Sequence, residues 1–286
     1  MTQLINKNEI HKKLFHKFKR HRKEGGLRTK NLFKKSTINN PLLSIITVVK
    51  NGSKTITRCI KSVNDQNYLN IEHIVIDGAS TDNTVSILKK NSDNIDYWIS
   101  EKDNGIYDGM NKGLQLAAGK YIGILNADDN FKKNSLMIII KYFKKYKNLD
   151  FVFGSVFKEK ILSGFWPKKI LWKFNMYSAH SVGFFIKTES QKKLGLYDNN
   201  FHYSADRDLF YRMIVQKKMK GIGTKRNEVI GYFRPGGISD KIKYIEYLNE
   251  NTRIRLDNKQ NYFFVMLIHL MRYLKRLNLI KSQSNI

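Results

Sequence analysis

The chain has 286 residues, enough for one sizeable domain with an appendage, and 41% of them are hydrophobic, enough for a real core. Its single cysteine, Cys59, excludes an internal disulfide framework, and three prolines with no Pro- or Ser-rich run leave no visible linker between two halves. The formal net charge of +28 favours anionic partners: nucleic acid, an anionic membrane face or phosphorylated substrates.

The charge is uneven. Residues 1–40 are dense in Lys, Arg and His, opposed only by Glu9 and Glu24, and residues 258–286 contain no Asp or Glu. The acidic residues gather in the middle. The basic N-terminus lacks the apolar stretch of a signal peptide, and no run reaches the roughly 18 apolar residues of a spanning helix. The expected location is therefore the cytoplasm, with contact at a membrane face compatible with the charge.

Residues 1–40 read as a basic N-terminal arm, helical or partly disordered. A folded domain is expected over 41–240. Leu43 to Val49 is an apolar, β-branched run that suits a strand buried on both faces. Lys54 to Val63 has helical spacing, with Ile56, Ile60 and Val63 on one side. Ile71 to Ile76 is a second buried strand ending at Asp77-Gly78, and Ser80 or Thr81 caps a helix running to Leu88. Ile95 to Ile99 is a short strand, Gly105 to Ala118 a helix, and Lys120 to Leu125 a strand ending at Asn126-Ala127-Asp128-Asp129. Ser135 to Tyr146 is a helix and Phe151 to Phe153 a strand. Beyond residue 150 the pattern loosens: strands over 182–186 and 229–233, a helix over 205–217, and basic amphipathic helices over 241–286.

Strands alternating with helices imply βαβ units and a mainly parallel sheet of Rossmann-like type flanked by helices. Ligands of such sheets bind beyond the carboxyl ends of the strands. Asn51, Asp77, Asp103 and Asp128-Asp129 all follow such ends, so four strand ends converge polar residues on one edge.

Each constellation has two readings. In the stretch Asp77 to Thr84, Asp77 suits a base N–H or ribose hydroxyl, Gly78 allows close backbone approach, and Ser80, Thr81 and Asp82 suit a helix cap. In the stretch Ser100 to Gly113, Asp108 and Asn111 lie one turn apart and Lys112 suits a phosphate, whereas a solvated helix face explains the same residues. Asp128 and Asp129 repel unless a cation is present; Mg²⁺ or Mn²⁺, shared with substrate phosphates, answers that, and capping ahead of Ser135 is the plainer alternative. Asp206 opens a helix, where spacing alone favours a cap over a general base, and Asp208 and Arg212 form an i,i+4 ion pair. His180 suits either a structural role or an acceptor or diphosphate contact. The Arg234-Pro235-Gly236-Gly237-Ile238-Ser239 loop suits a lid or a turn.

Taken in this order over residues 43–212, with a weaker tail to Ser239, these motifs resemble glycosyltransferase family 2, the inverting enzymes of the GT-A fold, of the kind that builds bacterial capsule, O-antigen or exopolysaccharide. The resemblance implies a nucleotide-sugar donor held by Asn51, Asp77, Asp108, Asn111, Lys112 and Asp128, with Asp128 at the ribose or diphosphate. It implies Mg²⁺ or Mn²⁺ at Asp129, a catalytic base at Asp206, and His180 near acceptor or diphosphate. Two departures stand out. Many members carry Asp-Asp where this chain has Asp77-Gly78, which opens the donor to nucleotides other than uridine. Many carry Glu where it has Ala205.

Tyr262 to Ile280 sets Phe263, Met266, Leu267, Leu270, Tyr273, Leu274 and Leu277 on one face, with Arg272, Lys275, Arg276 and Lys281 around it. That is the pattern of an interfacial helix on anionic lipid, or of a helix packed on the core or on a partner subunit. The expected acceptor is a glycan or a lipid-diphosphate-linked sugar at the inner membrane face, with self-association compatible and nucleic acid not expected. The competing functions are a nucleotidyltransferase, for which the Lys50 to Lys54 turn is a poor phosphate loop, and a basic nucleic-acid-binding protein, for which no recognised module is present.

Overall fold

A computed structural model describes residues 23–172, 177–236 and 242–284. Its strands are β1 (Lys23–Gly25), β2 (Leu43–Val49), β3 (Ile71–Asp77), β4 (Tyr97–Ser100), β5 (Tyr121–Ile124), β6 (Asn130–Phe131), β7 (Phe151–Phe153), β8 (Ser155–Lys158), β9 (Lys160–Leu162), β10 (Phe184–Lys187), β11 (Gly221–Gly223) and β12 (Val229–Tyr232). Its helices are α1 (Ile56–Asn64), α2 (Thr84–Lys90), α3 (Ile106–Leu116), α4 (Leu136–Lys145), α5 (Thr188–Leu194), α6 (Ala205–Tyr211), α7 (Tyr244–Asp257), α8 (Tyr262–Lys275) and α9 (Leu277–Ser284).

The large sheet has the order β1-β4-β3-β2-β5-β10-β7-β11. β2, β3, β4 and β5 run parallel; β10 is antiparallel to β5 and β7, and β1 to β4. Burial on both faces explains why the central strands read as largely apolar runs and not as a polar–apolar alternation. Leu43, Ile45 and Val49 of β2 face one core with α1, α2 and α4, while Ile46 and Val48 face another with α3, α6 and α7. α3 approaches closely because Gly109 and Gly113 replace side chains where it crosses the sheet: a Cβ on Gly113 would collide with Ile46. The parallel strands all deliver their carboxyl ends to one edge.

A second sheet has the order β6-β12-β8-β9; the strand expected over 229–233 is β12, while β6, β8 and β9 lie outside what the sequence pattern announces. Those three have two to four residues, too short for an alternation to register. The helix expected over 205–217 ends at Tyr211 and continues as a π turn over Arg212–Gln216. The amphipathic run over 262–280 is broken near Arg276 into α8 and α9. α2 begins at Thr84 with no side-chain bond from its N-cap, so Ser80 and Thr81 are free for another task. Residues 1–22 of the expected arm, and Gly237, Ile238 and Ser239 of the expected lid loop, lie outside the described residues.

The fold also starts earlier than Pro41. β1 adds to the sheet edge, and the buried Arg28 pairs with the buried Glu72 on β3. Arg28 also donates to the Leu116 carbonyl at 2.9 Å. The other Glu72 oxygen accepts from the Ser44 hydroxyl and from the Ala118 and Gly119 N–H groups. Breaking a buried, fully bonded pair leaves a naked charge behind. Arg28→Met is expected to cost about 3 kcal/mol, read as a lower urea midpoint, with Arg28→Met/Glu72→Gln recovering part of the loss.

Candidate active site

A cleft of about 620 Å³ opens at the carboxyl edge of the parallel strands. Its walls include Lys50 and Asn51 after β2, Asp103 after β4, and Asp128 and Asp129 after β5. Tyr107, His180, Ser181, Tyr203, Asp206 and Arg234 complete the lining. One cleft therefore brings together Asn51, Asp103, Asp128 and Asp129, which the edge rule selected, and His180 and Asp206, which it did not.

Asp129 is 1% exposed, yet it reaches the cleft wall. The Ser181 hydroxyl donates to its Oδ2 and the Arg234 N–H to its Oδ1, at 2.8 Å for the latter. Burial pushes its carboxyl up to about 7; the Ser181 and Arg234 hydrogen bonds pull the other way, and the Asp128 charge adds to the rise. Ser181 is itself fixed: its hydroxyl accepts from the Asn126 N–H at 2.8 Å, and the next residue, Val182, holds a left-handed φ of 69° that β-branched residues rarely adopt. Asp128 is half-buried, and its carbonyl accepts from Arg58 of α1 at 2.8 Å.

Two adjacent carboxylates in a cleft wall, one of them poorly solvated, form a hard-oxygen donor pair. Among the described residues no group of three or more His, Cys, Asp or Glu gathers to hold a metal. A pair suits Mg²⁺ or Mn²⁺, which take one or two carboxylates and complete their shell with substrate phosphates and water.

Asp206 sits in the first turn of α6. The Tyr107 hydroxyl donates to its Oδ1 at 3.2 Å and the Tyr177 hydroxyl to its Oδ2 at 3.0 Å. Burial, then the Asp206 charge, push both phenols well above their ordinary value, so they stay protonated and act as donors. His180 shares a hydrogen bond of 2.7 Å with the Tyr197 hydroxyl, and burial lowers its pKa. It meets the cleft as a neutral ring and offers a hydrogen bond, not a positive charge. Asp208 and Arg212 form the expected ion pair at 2.8 Å, away from the cleft lining.

Four expected donor contacts turn elsewhere. Asp77 is fully buried; Ser100 Oγ and Ser80 N donate to its Oδ2 and Ser80 Oγ to its Oδ1. Asn111 clamps the Tyr197 backbone in both directions and donates to Asn199. Lys112 pairs with Glu101 at 2.8 Å and lies 3.7 Å from Asp108, which accepts the Asn104 N–H. None of the four lines the cleft. Asn51 does, in a left-handed turn with φ of 53°, its Oδ1 accepting from Thr81 and its N–H donating to Ser80. That is the task of the two residues read as helix caps.

Asp103, unlike Asp77, lines the cleft. Its carboxylate sits against Gly78, where a Cβ would run into Oδ2, and near Gly109. Only the Gly105 N–H reaches it among the described residues, at Oδ1 and 3.2 Å. Burial raises its pKa. Tyr107, Ser181 and Tyr177 carried no sequence signal of their own: Tyr107 lay inside a motif read for its polar residues, and Tyr177 is 29 positions from Asp206.

The Asp129 carboxyl sets a pH dependence. Its folded pKa of about 7 lies above the ordinary 3.8, so the protonated form carries the stability. That contribution is full below about pH 4 and is lost as pH rises through about 7. Urea denaturation between pH 5 and 8 should show stability falling, and Asp129→Ala should flatten the slope; an unchanged slope would remove the assignment.

The profile of Glycosyl transferase family 2 matches residues 44–230. A glycosyltransferase of Mycobacterium tuberculosis (strain CDC 1551 / Oshkosh), described as uncharacterized, is 31% identical over 198 residues, 60% of this chain and 68% of the relative. A PGL/p-HBAD biosynthesis glycosyltransferase of Mycobacterium bovis (strain BCG / Pasteur 1173P2) is 26% identical over 221 residues, 73% and 83% of the two chains. Among solved structures, S. aureus TarS 1-349 in complex with UDP superposes with a TM-score of 0.61 at 16% identity, over 83% of this chain and 73% of that one. The mannosyltransferase PcManGT from Pyrobaculum calidifontis, in complex with GDP-Man and Mn²⁺, gives 0.57 at 15% identity, over 97% and 80%. The α/β architecture with its large helix-flanked sheet is that of these GT-A glycosyltransferases. The chain belongs to glycosyl transferase family 2.

Proposed function

We propose that the chain transfers a sugar from a nucleotide-sugar donor to a hydroxyl of a glycan or lipid-diphosphate-linked acceptor, with inversion, at the inner face of a bacterial membrane in surface polysaccharide synthesis. The observation that carries the transfer reading is that the acidic pair Asp128-Asp129 and the phenol-held Asp206 line one cleft. A base and a diphosphate site belong on opposite sides of an anomeric carbon when attack is in line.

The donor's nucleoside lies along the ends of β2 and β4, with Asn51 and Asp103 as contacts. The free Oδ2 of Asp103 accepts a base N–H or ribose hydroxyl. Asp128 and Asp129 are the residues that would hold Mg²⁺ or Mn²⁺, whose chemistry there is neutralisation of the leaving diphosphate. TarS with UDP and PcManGT with GDP-Man and Mn²⁺ support donors of this class. Asp206 removes the proton from the acceptor hydroxyl as its oxygen bonds to the anomeric carbon. The glycosidic C–O bond to phosphate breaks, and the nucleoside diphosphate leaves with the electron pair. Tyr107 and Tyr177 hold Asp206 in register, and His180 hydrogen-bonds acceptor or diphosphate.

Calorimetry with Mn²⁺ and a panel of sugar nucleotides tests the donor half. Asp129→Ala should abolish metal-dependent binding, and Asp103→Asn should weaken it about tenfold or more; unchanged binding by both would sink the donor site. Asp206→Asn should keep donor binding and lose about 10²–10⁴-fold in turnover of labelled donor on isolated membranes. Normal turnover by that variant would remove the base.

A further inference from the structure

The described surface carries an apolar face that the cleft does not explain. α8 buries Val265 and Ile268 against the protein, and Thr252 of α7 hydrogen-bonds His269 at 2.8 Å. The outer side bears Phe263, Leu267, Leu270 and Leu274, which are 81%, 54%, 52% and 59% exposed. Their spacing of four, three and four puts them on one stripe. A helix at a water surface carries polar residues on its outer face; this one is apolar on both.

A second segment extends the face. The 3₁₀ turn Pro167–Leu171 and Trp172 are held beside α8: the Trp172 ring stands edge-on to Phe264 at 4.7 Å, and Arg272 donates to the Trp172 carbonyl. Arg255 of α7 donates to the Leu171 carbonyl at 2.6 Å. Leu171, Trp172 and Trp166 are 40%, 56% and 47% exposed. Large contiguous apolar exposure of this kind marks a binding surface.

Charge and length select the occupant. Lys169 lies over the Trp166 ring, Arg272 holds the Trp172 carbonyl, Lys168, Lys275, Arg276 and Lys281 lie in the same segments or the helix that follows, and no acidic residue occurs after position 257. A second copy of a chain with a net charge of +28 would set like charge against like. Among the described residues no helix is long and apolar enough to cross a membrane. An apolar stripe with a basic margin and indole rings is the chemistry of a helix lying in the plane of an anionic bilayer.

We propose that the outer stripe of α8, together with Leu171 and Trp172, seats the protein on an anionic lipid surface. This rests on the sugar-transfer reading only for its purpose, which is to hold the cleft over a membrane-borne acceptor. The seat is coupled to the cleft through α7: Glu250 accepts from the His202 and Tyr203 N–H groups, and both residues line the cleft.

The test uses the full chain and sedimentation with phosphatidylcholine vesicles containing roughly a third phosphatidylglycerol, compared with phosphatidylcholine alone. Binding should require phosphatidylglycerol and weaken with salt. The combined variant Phe263→Ser/Leu267→Ser/Leu270→Ser/Leu274→Ser should lower partitioning by about tenfold or more. Lys275→Glu/Arg276→Glu should remove most of the lipid preference. Should the fourfold variant misfold by circular dichroism, quenching of tryptophan fluorescence by brominated lipid, lost in Trp172→Phe, serves instead. The proposal is overturned if the wild type ignores the anionic vesicles, if the fourfold variant binds them equally well through some other segment, or if the wild type is a dimer that this variant splits. Donor affinity should be unchanged in all these variants. A wild type that binds vesicles but no sugar nucleotide would overturn the transfer reading and leave the lipid seat standing.

Discussion

The carboxylate of Asp129 is the constraint around which the site is assembled. It is buried where ionisation is costly, and it is held by Ser181 ahead of β10 and by the Arg234 N–H after β12. Three segments distant in the chain are thereby pinned to one group. Two belong to the large sheet and one leaves the small sheet, so the second sheet has a function as well as a fold: it delivers a loop to the acidic edge. The left-handed Val182 belongs to the same arrangement, because strain of that kind persists only where neighbours over-determine it.

Charge is partitioned accordingly. The chain is strongly basic overall, yet Asp103, Asp128, Asp129 and Asp206 converge on one cleft. Lys50 and Arg234 line the same cleft, so both signs of charge meet there. A strongly positive surface draws anionic molecules toward a protein at longer range.

Much of this was legible in the sequence, for identifiable reasons. β2 and β3 are buried on both faces, so they read as largely apolar runs despite Ser44, Thr47, Glu72 and His73, and the strand-end rule then found Asn51, Asp103, Asp128 and Asp129. The same rule selected Asp77 but could not show which way its carboxylate turns; Ser80 and Ser100 turn it inward. Helical spacing put Asp108 and Asn111 on one face without revealing that Tyr197 and Asn199 pack there. The Tyr177 clamp and the short strands β6, β8 and β9 of the small sheet left no periodic trace, whereas β12 was legible as 229–233. Residues 23–30 read as tail because their anchors are long-range, the pairing of β1 with β4 and the buried Arg28–Glu72 pair, which no local pattern records.

The contact between Gly78 and Asp103 has a consequence for how such a site can vary. A Cβ at 78 would lie against the Asp103 carboxylate, so a side chain there requires that carboxylate to turn aside. Gly78→Asp would also set two negative charges against each other, and pairing it with Asp103→Gly would relieve both conflicts and carry the carboxylate from the end of β3 and not from the loop after β4. The two positions are coupled: the residue at one decides the rotamer or the residue that the other can hold.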